Sequence, residues 1–209
     1  MIAIVDYGVG NLFSLGSSFA AIGADVTVTG DKKALANAEK IILPGVGAFH
    51  DAAEKLRREE LDAFLVEQAK SGKIIMGICL GMQMLFEKSF EYGEHTGLSL
   101  LHGEIVPISK VVPKELKIPH MGWNALSFVG KKHALFKNIN EGDCVYFVHS
   151  YFAQSCADST IATAEYGYPI TAAVARENVL GCQFHPEKSG TVGLKILKAF
   201  CDMKEGDLC

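Results

Sequence analysis

The stretch KIIMGICLGMQMLFEK, Lys73 to Lys88, holds one cysteine, Cys79, between Gly77 and Gly81, where an apolar run meets a helix-like pattern. The run KIIMGI reads as a buried strand, and MQMLFEK is expected to continue as a helix. A strand, a sharp turn and a helix carrying Gly-x-Cys-x-Gly make a nucleophile elbow. The glycines leave room for a strained turn that projects the Cys79 side chain above the sheet. The helix N-terminus brings partial positive charge to the sulfur, favouring a thiolate, and the free N–H of Leu80 is placed to hold an oxyanion. A structural cysteine packed beside two glycines fits the same residues, so the motif needs partners elsewhere.

Upstream, strand-like and helix-like segments alternate. MIAIV, DVTV and KIIL read as strands, LFSLGSSFAAIG has helical spacing, and Asp51 to Lys70 is helical with a break near Glu59-Glu60. Uniformly apolar strands alternating with helices predict a parallel sheet covered on both faces. Downstream, GEIVPI, ALSFV, CVYFVHSYFA, TIATAEY, ITAAVA and VLGCQF are short and β-rich, and a helix from Thr191 to Met203 closes the chain. The expectation is one α/β domain over residues 1–209, with a mostly parallel sheet flanked by helices and antiparallel additions in the C-terminal half.

The 209 residues are 49% hydrophobic and 21% charged, enough to bury a core without disulfide or metal staples. A net charge of −4 without a basic stripe argues against nucleic acid as a partner. No apolar stretch is long enough to span a bilayer, and MIAIVDYGVG lacks the features of a secretory signal. The six cysteines show no CxxC and read as mostly buried, reduced thiols of a cytoplasmic protein. The seven histidines form no HxH or HExxH, so no metal site is expected.

A thiolate that transfers acyl groups needs a histidine to carry protons and a third group to orient it. VLGCQFHPEKSG supplies both: His185 at the end of a buried strand, and Glu187 two residues on. Alternation along Leu180–His185 puts Gln183 and His185 on one face and Cys182 on the other, which makes Cys182 core. Pro44-Gly45-Val46-Gly47 follows KIIL at the edge where parallel sheets bind ligands, and its glycines permit close backbone approach and a peptide flip. Asp6-Tyr-Gly-Val-Gly-Asn11 is not a nucleotide loop, because Phe13 stands where the third glycine is required.

Together, GICLGMQ, PGVGAF and QFHPE resemble the class I glutamine amidotransferases, whose fold is flavodoxin-like. IVDYGVGNLFSL, PHMGWN (Pro119–Asn124) and YFVHSY (Tyr146–Tyr151) narrow the likeness to the glutaminase subunits that feed imidazole glycerol phosphate synthesis. The likeness runs from residue 2 to about residue 200. It implies Cys79 as nucleophile, His185 as general base and acid, and Glu187 as the group orienting His185. It further implies oxyanion donors at Leu80 and Gly47, with Val46 in the strand that reorients. Glutamine would be held by Gly45, Gln83 and the backbone of His149-Ser150-Tyr151.

Asn11, Met121 and Trp123 would face a (β/α)₈-barrel cyclase partner in a heterodimer, to which ammonia is channelled. Trp123 fits core packing equally well. No cofactor is implied. The alternatives are a paralogous subunit supplying ammonia to another acceptor, as in sugar amidation, a stand-alone thiol hydrolase of the same fold, and a flavodoxin-like protein with an oxidisable Cys79.

Overall fold

The structure, a computed structural model, describes residues 1–207. The chain runs β1 (Ile2–Val5), α1 (Leu12–Ala21), β2 (Val26–Thr29), α2 (Lys32–Asn37), β3 (Lys40–Leu43), α3 (Phe49–Arg58), α4 (Leu61–Lys70), β4 (Ile74–Ile78) and α5 (Leu80–Met84). It continues through β5 (Phe86–Ser89), β6 (His95–Thr96), β7 (Leu101–Pro107), β8 (His120–Phe128), β9 (Cys144–His149), β10 (Tyr151–Gln154), β11 (Thr160–Glu165), β12 (Pro169–Arg176), β13 (Val179–Cys182) and α6 (Gly190–Asp202).

Nine strands form one sheet in the order β2-β1-β3-β4-β13-β12-β11-β8-β9. The first five are parallel, with β13 in the fifth place of a flavodoxin-type order, and the rest are antiparallel. The apolar strands are explained by burial on both faces. Ala3, Val5, Ile41, Leu43 and Ile75 pack with Leu56 and Leu65 on one side. Ile2, Ile4, Ile42, Ile74 and Met76 pack with Phe19, Ile196 and Phe200 of α1 and α6 on the other. The buried Lys40 is compensated: its Nζ donates to the carbonyls of Phe200 and Cys201 at the end of α6, where a cation suits the helix dipole.

The helical stretch before β4 breaks where expected, with Glu60 in a left-handed conformation between α3 and α4. Two expectations are corrected. MQMLFEK does not stay helical: α5 ends at Met84, and Phe86–Ser89 is a strand. The apolar Phe86 is fully buried and pairs with Leu101, so a long-range ladder overrides the local pattern. The C-terminal strands also do not all join the main sheet, since β10, β7, β5 and β6 make a second, four-stranded sheet with β7 and β5 parallel. CVYFVHSYFA is therefore two strands, and the chain passes from one sheet to the other at Ser150.

Between β4 and α5 the backbone turns so tightly that only glycine fits. A Cβ on Gly81 would lie 1.8 Å from the Leu43 carbonyl oxygen, and one on Gly77 would lie 2.5 Å from the Gly81 carbonyl oxygen. Gly81→Ala is expected to cost about 3 kcal/mol or more, because backbone must move. Gly16→Ala, in open space on α1, should stabilise by about 0.5–1 kcal/mol. Urea midpoints of the two variants test this, and similar midpoints would contradict the packing.

Candidate functional site

The carboxyl ends of β1, β3, β4 and β13 meet at one edge of the sheet, beside the point where the strand order reverses. Cys79 sits there with φ 53° and ψ −111°, a conformation that non-glycine residues avoid. Its N–H donates to the Cys182 carbonyl at 2.8 Å, fixing the elbow to β13, and its carbonyl accepts the Gln83 N–H that closes the first turn of α5. That turn leaves the N–H groups of its first residues, Leu80 included, without intrahelical acceptors.

His185 lies three residues past the end of β13, not within the strand, and caps a single turn at Pro186–Lys188. Its backbone is clamped. Its N–H donates to the Tyr146 carbonyl at 2.9 Å, and Ser189 Oγ donates to its carbonyl at 2.7 Å while accepting from the Tyr146 N–H. Its ring bonds through Nδ1 to Glu187 Oε1 at 2.8 Å, with both side chains almost wholly buried, and it lines the same cavity as Cys79. Burial opposes charge on this ring, but the hydrogen bonds and charges of Cys79 and Glu187 outweigh it and lift His185 to about 10. The carboxylate is thus hydrogen-bonded to the imidazole, and imidazole and sulfur face one cavity, an arrangement suited to nucleophilic attack with proton shuttling.

That cavity has a volume of about 320 Å³. Val46, Gly47, Leu80 and Gln83 line it together with His149, Ser150 and Tyr151. Gly45 sits behind, where a Cβ would strike the Gly81 nitrogen at 2.7 Å, so the PGVG turn rests directly on α5. Gly47 has φ +94° and Val46 is 43% exposed at the rim. Gln83 is more restricted than the sequence suggests. Its Nε2 donates to the Tyr151 carbonyl at 3.1 Å and to Gln183 Oε1 at 3.0 Å, leaving its oxygen as the free function. The Tyr151 carbonyl also meets His149 Nδ1 at 2.8 Å, so its two lone pairs are taken.

Behind His149 runs a buried chain: His149 Nε2 to His120 Nδ1 at 3.0 Å, His120 Nε2 to Asn124 Oδ1 at 2.8 Å, and Asn124 Nδ2 to the Glu165 carbonyl at 2.8 Å. Burial pushes both rings below the ordinary histidine range, His149 to about 3, so His149 is neutral at physiological pH.

Alternation along β8 turns His120 and Asn124 inward and Met121 and Trp123 outward, at 60% and 55% exposure. That decides Trp123 against core packing. Asn11 is exposed and caps α1 through its side chain, next to Phe13 at 85% exposure. Cys182 is fully buried, as expected; Cys79 and Cys156 are buried too, but Cys144 is exposed, and Cys209 lies outside the described residues.

Sequence reasoning missed Glu91, Pro119 and Lys188 at the cavity, and Tyr7 beneath it. Glu91 is half-buried, accepts the Phe49 N–H at 2.6 Å, and is shifted upward by burial. It was hidden in the charged run FEKSFEYGEH, which reads as a solvated turn. Tyr7 Oη donates to the Pro44 carbonyl at 2.7 Å, tying the N-terminal loop to PGVG, and burial and then the nearby Cys79 raise its phenol. Among the described residues no helix is long and apolar enough to cross a membrane, and no cluster of histidine, cysteine and acidic side chains could hold a metal.

The profile described as glutamine amidotransferase class-I matches residues 3–203. The imidazole glycerol phosphate synthase subunit HisH of Sulfurimonas denitrificans is 50% identical over 203 residues, covering 96% of this chain and 97% of that protein. The subunit of the same name from Wolinella succinogenes is 47% identical over 205 residues, covering 97% and 100%. Among solved structures, a glutamine amidotransferase aligns with a TM-score of 0.74 at 16% identity, covering 96% of this chain and 97% of that one. PurLQS from Thermotoga maritima aligns at 0.72 and 21% identity, covering 95% of each chain. These two show the shared fold. The chain therefore belongs to the class I glutamine amidotransferases and, within them, to the family of imidazole glycerol phosphate synthase HisH subunits.

Proposed function

We propose that this chain is the glutaminase subunit of imidazole glycerol phosphate synthase, acting as a single amidotransferase domain that hydrolyses glutamine and passes the ammonia to a cyclase partner. The observation that carries this is the Cys79–His185–Glu187 line opening into a cavity of about 320 Å³. The Cys79 thiolate attacks the side-chain amide carbon of glutamine. The resulting oxyanion is held by the N–H groups of Leu80 and Gly47, once the Val46–Gly47 peptide faces it. His185 gives its proton to the departing ammonia, leaving a glutamyl thioester. Neutral His185 then takes a proton from water, whose oxygen attacks the thioester to release glutamate.

The amino-acid end of glutamine suits the opposite wall. The half-buried Glu91 carboxylate and the free oxygen of Gln83 can accept from its ammonium, and the N–H groups of the Ser150–Tyr151 segment are suited to its carboxylate. The rim is apolar where the sulfur is reached. Val46, Ile118, Met121 and Trp123 are exposed on it or close by, with Asn11 and Phe13 exposed at the start of α1. This is the surface on which a (β/α)₈-barrel cyclase would dock, receiving ammonia without loss to solvent and making imidazole glycerol phosphate and an aminoimidazole carboxamide ribonucleotide.

Cys79→Ala should release no glutamate while still binding a purified cyclase subunit; glutamate release by that variant would remove Cys79 from the role. A chain labelled with 5-fluorotryptophan carries a single reporter, at position 123. Its ¹⁹F resonance should shift when the cyclase is added, and an unmoved resonance would take Trp123 out of the interface.

The raised proton affinity of His185 also sets a pH dependence. The folded chain holds that proton to about pH 10, whereas an unfolded histidine loses it near its ordinary value of 6.5. This contribution to stability is fully present below about 6.5 and is lost as pH rises towards about 10. Glu187→Gln should flatten that fall in urea titrations across the alkaline range. An unchanged slope would mean that the carboxylate does not stabilise the charged ring.

A further inference from the structure

Gln183 is fully buried between Cys182 and His185, and the glutaminase mechanism above leaves it without a task. Its backbone N–H is fixed to the Ala172 carbonyl at 2.8 Å. Its side-chain Nε2 lies 3.7 Å from Cys79 Sγ, within the range of an N–H···S hydrogen bond. The orientation of that amide follows from the groups around it. The Tyr151 carbonyl can only accept, so the Gln83 amide must turn its nitrogen towards it. The same nitrogen faces Gln183 Oε1 at 3.0 Å, which makes that oxygen the acceptor. The Gln183 nitrogen is then left facing the sulfur. Turning Gln83 over would set its oxygen against the Tyr151 carbonyl and Gln183 Oε1, and turning Gln183 over would set nitrogen against nitrogen and oxygen against the sulfur.

We propose that Gln183 is a further catalytic residue: its amide N–H donates to Cys79 Sγ, holds negative charge on the sulfur, and directs the remaining lone pair into the cavity. This rests on reading Cys79 as the nucleophile. Gln183 engages the sulfur from within the protein, so an unengaged electron pair is left for the cavity, the side from which an amide carbon can approach. As the C–S bond forms, the charge leaves the sulfur for the substrate oxygen, and the Gln183 hydrogen bond weakens while those at the oxyanion strengthen. No proton leaves Gln183 at any stage. The Tyr151–Gln83–Gln183–Cys79 chain also makes the sulfur sensitive to the segment lining the substrate cavity.

The test is the alkylation rate of Cys79 by iodoacetamide in the full chain, followed by mass spectrometry of the Cys79 peptide so that exposed Cys144 does not interfere. Gln183→Glu keeps shape and the acceptor for Gln83 but puts an oxygen at the sulfur; Gln183→Met removes donor and acceptor together. Both should react roughly tenfold more slowly at neutral pH and regain the wild-type rate only in alkaline buffer. Gln83→Leu, which leaves Gln183 in place but releases its amide, should give an intermediate rate. With the cyclase present, kcat for glutamate release should fall in step while KM changes little.

Gln183 variants with wild-type urea midpoints that alkylate at the wild-type rate at every pH would overturn the proposal. The glutamine reading is tested separately in the same assay. Free glutamine should protect wild-type Cys79, and lack of protection would count against that reading while leaving the comparison of Gln183 variants intact.

Discussion

The close approach of Gly81 to the Leu43 carbonyl decides where the Cys79 sulfur and the PGVG turn can stand. It draws the start of α5 onto the end of β3, which forces Cys79 into its unfavourable φ and ψ and raises the sulfur above the sheet. The same contact seats Gly45 against α5, so the PGVG turn and the sulfur are placed by one packing event. Strain of this kind costs about 1–3 kcal/mol and persists because the surroundings over-determine it. Here β3 and β13 flank β4 on both sides, and the Cys79 N–H is tied to Cys182.

The second constraint is the passage of the chain from one sheet to the other at Ser150. β9 ends the nine-stranded sheet and β10 opens the four-stranded one, so Ser150, the single residue between them, lines the cavity together with His149 and Tyr151, the strand ends on either side. Inward, His149 is bonded through His120 and Asn124 to the backbone of β11. Outward, the same β8 strand carries Met121 and Trp123. Residues on the two faces of a single strand thus touch the cavity wall and the candidate docking surface.

The legible part of this architecture was local. Gly-x-Cys-x-Gly, PGVG and HPE each lie within a few residues of a strand end, and the parallel order follows from apolar strands alternating with helices. What escaped depends on distant pairing. Phe86–Ser89 becomes a strand only because β7 lies alongside it, and nothing in MQMLFEK announces that. Glu91 faces the cavity because the second sheet folds its turn back onto α3, whereas its neighbours in sequence are those of a solvated loop. Trp123 was ambiguous until the inward partners of its strand were known. Gln183 was placed on the correct face by alternation, but its hydrogen bonds need Gln83, a hundred residues away.

The second oxygen of Glu187, Oε2, is buried without a hydrogen-bond partner among the described residues. A carboxylate in that position has the His185 imidazolium as its counter-charge, so each time the ring gives up the proton on its other nitrogen the anion keeps the Nδ1–H bond but loses its counter-charge in a dry interior. In the proposed cycle this acts as a restoring force. It makes the imidazolium slow to give its proton to ammonia, and it makes the emptied imidazole quick to recover one from the next water. The acid half of the reaction thereby loads the base half.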